Sequence, residues 1–177
     1  MKKLTMEELH RVTPEQFKSQ PKMPVVLVLD NIRSMNNVGS LFRTCDGFNV
    51  EKMFLCGITA CPPHKDIAKT ALGATESVAW EYAEDVVALA KRLKDEGYAL
   101  LVVEQVDQSI MLQNFSFRDY KKVAVVVGNE VFGVDDRLLP LCDAAIEIPQ
   151  YGTKHSLNVT IAAGVVLWEA VKQISLP

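Results

Sequence analysis

Short apolar runs alternate along this chain with segments in which apolar residues recur every three or four positions. The apolar runs predict strands, and they lie at 25–29, 52–57, 78–82, 98–103, 123–127 and 144–148. The segments of helical period predict helices at 37–48, 66–72, 85–96, 135–141 and 156–173. Residues 107–121 follow neither pattern and predict a loop. This alternation predicts an α/β domain, with a mainly parallel sheet and helices on both faces.

Several residues at the ends of the predicted helices are typical of helix termini. Gly73 and Gly97 each follow a helical segment, where glycine commonly closes a helix. Asn37 and Ser156 stand at the start of helical segments and are the expected N-caps. Asn158 is then expected inside the first turn of the last helix.

The length of 177 residues corresponds to one domain with a short extension. Thr13 before Pro14 predicts a short helix near the start of the chain, and Pro21 ends it. Residues 1–23 are therefore expected to form an N-terminal arm, and residues 24–177 the main, catalytic domain. The arm lacks the apolar stretch of a secretory signal.

Composition and charge exclude several classes of protein. The chain is 49% hydrophobic and 23% charged, which is ordinary for a globular protein. No apolar run approaches the ~20 residues that a membrane helix needs. A net charge of −3 argues against a protein that coats nucleic acid without specificity. The four cysteines fit a reduced cytoplasm, and their spacing predicts no metal site.

A first group of polar residues follows the predicted strand at 25–29, in the segment DNIRSMNNVGSLFR. Ligands of parallel sheets bind at the carboxyl ends of the strands, so this segment is a candidate site. Arg43 follows Gly39 by one helical turn and is flanked by apolar residues, which suits a guanidinium that grips a phosphate. A surface arginine with a salt-bridge partner is the alternative interpretation of Arg43.

A second polar group follows the predicted strand at 123–127, where Gly128, Asn129 and Glu130 come in succession. Glu130 is expected to accept hydrogen bonds or to pair with Arg43. A turn glycine followed by a helix-capping acid is the alternative. The segment is not G-x-G-x-x-G, so it does not predict dinucleotide binding.

A third polar group, PQYGTKHSLN, follows the predicted strand at 144–148. Ser156 and Asn158 stand at the expected start of the last helix, where free amides and the helix dipole attract anions. Lys154 and His155 add positive charge, and the alternative for His155 is an ordinary exposed histidine. Ser156 lacks the G-x-S-x-G turn of a serine nucleophile.

In this order and spacing, the three groups resemble the signature motifs of the SpoU/TrmH family, the RNA ribose 2′-O-methyltransferases of the SPOUT superfamily. The segments that carry the resemblance are NNVGSLFR (36–43), VGNEVFGV (127–134) and IPQYGTKHSLNVT (148–160). The resemblance departs from the family pattern at Gln150, where methionine is common, and at Thr160, where serine is common.

The resemblance implies an α/β fold with a deep C-terminal trefoil knot that holds S-adenosylmethionine. It also implies a cytoplasmic homodimer whose active site draws on both subunits. The backbone around four residues would hold the cofactor: Glu104, Gly128, Ile148 and Leu157. Arg43 would be the catalytic arginine, and Asn37, Glu130, Ser156 and Asn158 would lie around it.

The implied reaction is methyl transfer to a ribose 2′-hydroxyl of tRNA or rRNA. Arg43 would grip an RNA phosphate and assist removal of the hydroxyl proton, while Ser156 and Asn158 steer the hydroxyl. Five cations are expected near one rim, where they would track phosphates: Arg33, Arg43, Lys65, Lys69 and Lys154. Lysines that only solvate a helix face are the alternative.

The sequence leaves two other functions open. The first is an RNA-binding or assembly factor that keeps the fold without turnover, and the intact Arg43 and Glu130 argue against it. The second is a flavodoxin-like nucleotide-binding or thiol-dependent enzyme. Against that function stand the missing glycine-rich phosphate loop and the missing C-x-x-C motif.

Overall fold

A single sheet of seven strands runs through the computed structural model, which describes residues 1–5 and 7–175. The strands are β1 Met23–Asp30, β2 Val50–Cys56, β3 Trp80–Ala83, β4 Ala99–Val103, β5 Ile110–Met111, β6 Val123–Val127 and β7 Ala144–Glu147. Their order is β3-β2-β1-β6-β4-β7-β5, and the pairings are parallel. The predicted α/β class with a parallel sheet is confirmed.

Helices cover both faces of this sheet. They are α1 Pro14–Ser19, α2 Met35–Gly47, α3 Lys65–Ala71, α4 Ala74–Ser77, α5 Val86–Asp95 and α6 Val159–Ser175. Successive side chains of β1 point into different apolar cores. Leu27 belongs to the core that contains Phe42 of α2 and Leu167 of α6, whereas Val28 belongs to the core that contains Leu89 of α5. Among the described residues, no helix is long and apolar enough to cross a bilayer.

Two segments differ in type from the sequence prediction. The segment 107–121, predicted as a loop, contains the short edge strand β5 and two 3₁₀ turns. The helix predicted at 135–141 is only a 3₁₀ turn at Asp136–Leu138. Pro140 lies two residues after that turn, and a proline cannot continue the helical hydrogen bonds.

The predicted N-caps of α2 and α6 are wrong by two or three residues. Ser34 caps α2, because its Oγ accepts the backbone N–H of Asn37 at 3.3 Å. Asn37 therefore lies in the first turn, with its side chain free for other contacts. Asn158 rather than Ser156 caps α6, because its Oδ1 accepts the backbone N–H of Thr160 at 2.8 Å.

The two glycines predicted to close helices both follow the cap residue of their helix with positive φ. Leu72, with φ of 51°, is the cap residue of α3, and Gly73 comes directly after it, as predicted. Gly73 has φ of 90° and begins α4, which the sequence did not predict. Gly97 follows the cap residue of α5 with φ of 87°, as predicted.

The N-terminal arm and the main sheet meet at Met23. Thr13 and Gln16 form a reciprocal capping box at the start of α1, and Phe17 on that helix is buried in the core. β1 begins at Met23, so the last residue of the predicted arm belongs to the sheet.

The strand order brings the carboxyl ends of β1, β6, β4 and β7 side by side. β7 lies between β4 and β5, although it follows both of them in the sequence. The segments after β1, β6 and β7 are the three polar groups, so the sheet gathers them at one edge.

Candidate functional site

The Glu130 carboxylate joins the segments that follow β1 and β6. Its Oε2 accepts the backbone N–H of Arg33 at 2.9 Å, and its Oε1 accepts the backbone N–H of Ser34 at 3.0 Å. The side-chain amide of Asn37 donates to the same Oε1 at 2.9 Å. One carboxylate thus holds the start of α2 against the end of β6.

These hydrogen bonds also decide the protonation state of Glu130. Partial burial raises the pKa of Glu130, but the backbone amides of Arg33 and Ser34 and the Asn37 side chain together bring it below its ordinary value of 4.5. Glu130 is therefore ionised at neutral pH and acts only as an acceptor. Its geometry fits a positioning and electrostatic role.

The third polar group reaches the same place through Asn158. The Asn158 Nδ2 donates toward the Asn37 Oδ1 at 3.4 Å, which is a long hydrogen bond. Asn37 therefore stands between Glu130 and Asn158, with a partner on each side. The structure brings Asn37 together with Glu130 and Asn158, which follow it in the sequence by 93 and 121 positions.

A cavity of about 630 Å³ opens beside these residues, at the carboxyl ends of β4, β6 and β7. The residues expected to contact a cofactor all line it: Glu104, Gly128, Ile148 and Leu157. Glu130, Ser156 and Asn158 line it as well. Its volume is in the range of small-molecule sites, and Val103 and Ile146 make part of its wall apolar.

A tight turn from Asn129 to Gly133 forms one wall of this cavity. The Asn129 N–H donates to the Gly133 carbonyl at 2.8 Å, and the Gly133 N–H donates back at 2.9 Å. A Cβ added to Gly128 would lie 2.1 Å from the Gly133 carbonyl carbon. Gly133 has φ of 74°, in the left-handed region. The turn therefore requires glycine at both positions.

Glu104 supports the same turn from the end of β4. Its Oε2 accepts the backbone N–H of Val134 at 3.1 Å, and its Oε1 accepts that of Gln105 at 2.9 Å. The Gln105 side chain in turn donates to the His155 carbonyl at 3.1 Å. The segments after β4, β6 and β7 are thus cross-linked around the cavity.

Arg43 lies outside the cavity. The buried positions of α2 are Val38, Gly39, Leu41, Phe42 and Cys45. Arg43 is exposed, because each residue turns the helix by about 100° and carries position 43 off that stripe. Of the two expectations for Glu130, acceptance of hydrogen bonds is the one observed within the chain, from backbone and amide donors, and pairing with Arg43 is not observed there.

Arg43 instead lines a shallow depression between α2 and α3, which we call the α2–α3 groove. The groove is lined by Ser40, Arg43, Thr44, Gly47, Phe48, Lys69, Thr70 and Leu72. Helices α2 and α3 approach closely at Gly39, where an added Cβ would lie 2.1 Å from the Thr70 Oγ1. This close packing places Arg43 and Lys69 in the same depression.

The predicted patch of cations divides between two places. Arg43 and Lys69 share the α2–α3 groove, whereas Arg33 lines a hollow beside Phe132. Lysines and arginines with a carboxylate oxygen within 4.0 Å include Lys2, Lys52, Arg92, Lys94, Arg137 and Lys172. The cations of the predicted patch are not among them.

Two buried polar residues of the site, Asp30 and Asn129, have a structural role that was not predicted from the sequence. The Asn129 Nδ2 donates to the Asn31 carbonyl at 2.7 Å and so ties β6 to β1. Asp30 at the end of β1 accepts the backbone N–H of Asp135 at 2.7 Å, and burial raises the pKa of its carboxyl. The sequence does contain a signal for Asp30, because a carboxylate at the end of an aliphatic strand is unusual.

The cysteines make a thiol-dependent enzyme a poor interpretation. All four are free thiols; Cys45 and Cys56 are buried, and Cys61 and Cys142 are half-buried. Burial raises the pKa of each thiol, and that of Cys56 to about 12. Within residues 1–5 and 7–175, no group of three or more His, Cys, Asp or Glu side chains is placed to hold a metal ion.

The fold and the cavity define the class: an α/β protein with a small-molecule site at the carboxyl ends of its parallel strands. The SpoU rRNA Methylase family matches residues 24–168. This match covers most of the chain, and the chain belongs to that family.

Curated relatives are named as methyltransferases of tRNA and of rRNA. The chain is 30% identical over 180 residues to the tRNA (guanosine(18)-2′-O)-methyltransferase of Aquifex aeolicus, with 98% of this chain and 80% of the relative covered. It is 28% identical over 154 residues to the 23S rRNA (guanosine-2′-O-)-methyltransferase RlmB of Ralstonia nicotianae, with 86% and 60% covered. The fold resembles an AdoMet-bound rRNA methyltransferase structure from Sinorhizobium meliloti, with TM-score 0.80, 23% identity, and 93% and 62% covered.

Proposed function

We propose that this protein transfers a methyl group from S-adenosylmethionine to a ribose 2′-hydroxyl of tRNA or rRNA in the cytoplasm, with residues 24–177 as the catalytic domain. The observation that carries the proposal is the convergence of Asn37, Glu130 and Asn158 beside the cavity. Relatives that are named 2′-O-methyltransferases of both RNA classes support it.

The cavity suits S-adenosylmethionine in volume, polarity and charge. Its apolar wall fits a nucleobase, and the Glu104 and Glu130 carboxylates favour a ligand that carries positive charge. Backbone around Gly128, Ile148 and Leu157 offers hydrogen-bonding groups at the strand ends. When bound, the cofactor supplies a methyl group on a positively charged sulfur.

The chain's own residues would position the hydroxyl and stabilise the charge that develops on it. Ser156 and Asn158 line the cavity next to Asn37 and would orient the 2′-hydroxyl. Glu130 would keep Asn37 in place through the bond between Asn37 Nδ2 and Glu130 Oε1. Arg43 would bind the RNA phosphate and stabilise charge as the hydroxyl loses its proton.

Because Arg43 lies in the α2–α3 groove, we propose a homodimer in which the groove of one copy meets the cavity of the other. An exposed apolar stripe on α6 supports this arrangement: Ile161, Val165 and Trp168. The Trp168 ring lies 6.2 Å, centroid to centroid, from Phe48 of the α2–α3 groove. The stripe therefore continues into the groove, and Asn158 at the start of α6 borders the cavity. A second copy seated on α6 would bury the stripe and complete the site.

The strand order supports the C-terminal trefoil knot as a further part of this proposal. β7 lies between β4 and β5, so the connection that joins those two strands has to cross β7. The loop behind β7 then contacts that connection where the Gln105 Nε2 donates to the His155 carbonyl.

Tritium transfer from labelled S-adenosylmethionine tests the proposal directly. In-vitro transcribed tRNA and rRNA carry no modification, and we expect label in one of them, recovered as a 2′-O-methyl nucleoside after digestion. Calorimetry on the same protein would measure cofactor binding. RNA binding without transfer to either RNA would overturn the proposal in favour of the non-catalytic RNA-binding factor.

A further inference from the structure

Two exposed aromatic side chains stand on the loops that line the cavity. Phe132, at the tip of the turn from Asn129 to Gly133, is 85% exposed and borders the cavity. Tyr151, on the loop after β7, is 95% exposed. A ring with this exposure adds little to the folded core and is accessible to a ligand.

The turn that presents Phe132 is rigid. The Asn129 Oδ1 accepts the backbone N–H groups of Val131 at 2.9 Å and Phe132 at 3.1 Å. The Asn129 Nδ2 also binds the Asn31 carbonyl, and the paired backbone bonds between Asn129 and Gly133 close the turn. A ring on a rigid support loses little conformational entropy when it binds a ligand.

Each aromatic side chain is accompanied by a cation. Phe132 and Arg33 line the same hollow, next to the cavity, and Lys154 lies three residues after Tyr151 on its loop. Within the described part of the chain, neither Arg33 nor Lys154 has a carboxylate oxygen within 4.0 Å. Aromatic rings beside unpaired cations are typical of surfaces that bind unpaired nucleotides.

We infer that Phe132 and Tyr151 stack on unpaired RNA bases, so that the substrate enters as a single-stranded or looped segment. The inference rests on the proposed RNA function and assigns the base-contacting surface of that site. Arg33 and Lys154 would hold the phosphates of the same segment, while the rings hold its bases. A duplex would not bind in this way, because its bases are already stacked on one another.

Fluorescence with a short single-stranded RNA that carries one 2-aminopurine tests the inference, since stacking on a ring quenches this base. We expect Phe132→Leu to weaken binding about tenfold and to reduce the quench, because leucine keeps the apolar volume but has no π face. Phe132→Trp should bind like the native protein. Tyr151→Leu should weaken binding in the same direction, and the annealed duplex should bind less well than the single strand.

Tyr82→Leu is the matched control, because Tyr82 is a half-exposed aromatic residue on β3 at the far edge of the sheet. Native-like binding by Phe132→Leu, or equal losses in Phe132→Leu and Phe132→Trp, would overturn the inference. A lower oligomeric state of Phe132→Leu in sedimentation would also overturn it, because the ring would then contact a second copy. Methyl transfer by the native protein is measured separately, so failure of the proposed function is distinguishable from failure of the stacking inference.

Discussion

The cavity at the strand ends and the α2–α3 groove are built in opposite ways. Around the cavity, polar side chains find their partners within the chain: Glu130 binds three donors, and Asn37 contacts both Glu130 and Asn158. In the groove, Arg43 and Lys69 are exposed and have no carboxylate oxygen within 4.0 Å among the described residues.

This difference separates a preorganised binding site from a surface that needs a further component. A satisfied hydrogen-bond network fixes geometry before a ligand arrives, which favours precise positioning. Unpaired guanidinium and ammonium groups favour an anion that the chain itself does not supply. The two regions therefore divide the proposed reaction into cofactor binding and RNA phosphate binding, and four changes test the division.

The largest effect is expected from Arg43→Ala. Removal of the guanidinium should reduce methyl transfer about a thousandfold, because it removes both the phosphate contact and the charge that stabilises the reacting hydroxyl. Cofactor binding measured by calorimetry should not change, because Arg43 lies outside the cavity. Native turnover by this variant, on an RNA that the native protein methylates, would contradict the role of Arg43.

A methyl group at Gly128 should have the next largest effect. In Gly128→Ala the new Cβ would lie 2.1 Å from the backbone of Gly133, so the turn must shift. We expect a loss of about 2 kcal/mol in unfolding free energy and at least tenfold weaker cofactor binding.

Gly47→Ala is the matched change in the α2–α3 groove, where nothing lies within 4 Å of the added Cβ. It should stabilise α2 by about 0.5 kcal/mol. Thermal unfolding of both variants checks the opposite signs.

Glu130→Gln should give a pH-dependent loss. The pKa of Glu130 is lowered in the folded protein, so the stability that its carboxylate contributes is present in full above the ordinary pKa of 4.5. That contribution disappears as the pH falls through the lower, folded-state pKa. We expect the variant to be less stable by about 1 kcal/mol at neutral pH, because the new NH₂ group faces a donor.

The gap between the native protein and Glu130→Gln should close in acid. Denaturant unfolding at a series of pH values measures it. A gap that is constant with pH would show that the Glu130 charge adds nothing to the network.

The smallest effect is expected from Lys69→Ala. It should raise the KM for RNA about threefold, leave kcat unchanged, and reduce the dependence of binding on salt by about one phosphate contact. Lys91→Ala on α5 is the control, because it removes an exposed lysine from the opposite face of the sheet. Equal effects of the two variants would mean that only net charge matters and that the groove is not an RNA surface.

The strands and most helices could be predicted because their signals are local. The aliphatic run at 123–127 forms β6 with the predicted bounds. The apolar residues at helical spacing in 85–96 form α5, with Asp85 as its N-cap. The caps at Ser34 and Asn158 were missed, because several nearby polar residues can cap and only the packed chain selects one of them.

The residues expected to hold a cofactor lie together, whereas the arrangement of the other candidate residues was not predicted. Glu104, Gly128, Ile148 and Leu157 do line one cavity. The side of α2 that carries Arg43 follows from the helical period, since positions 38, 41, 42 and 45 define the buried stripe. The partners of Glu130 do not follow from any local pattern, because they lie more than ninety residues away.

The sequence by itself determined the α/β class, the elements and the three polar segments, because backbone preference and apolar period act over neighbouring residues. The tertiary structure alone decided that Asn37 contacts Glu130 and Asn158 and that Arg43 faces a separate groove. Those facts depend on strand order and helix packing, through which distant segments meet only when the apolar faces are buried together.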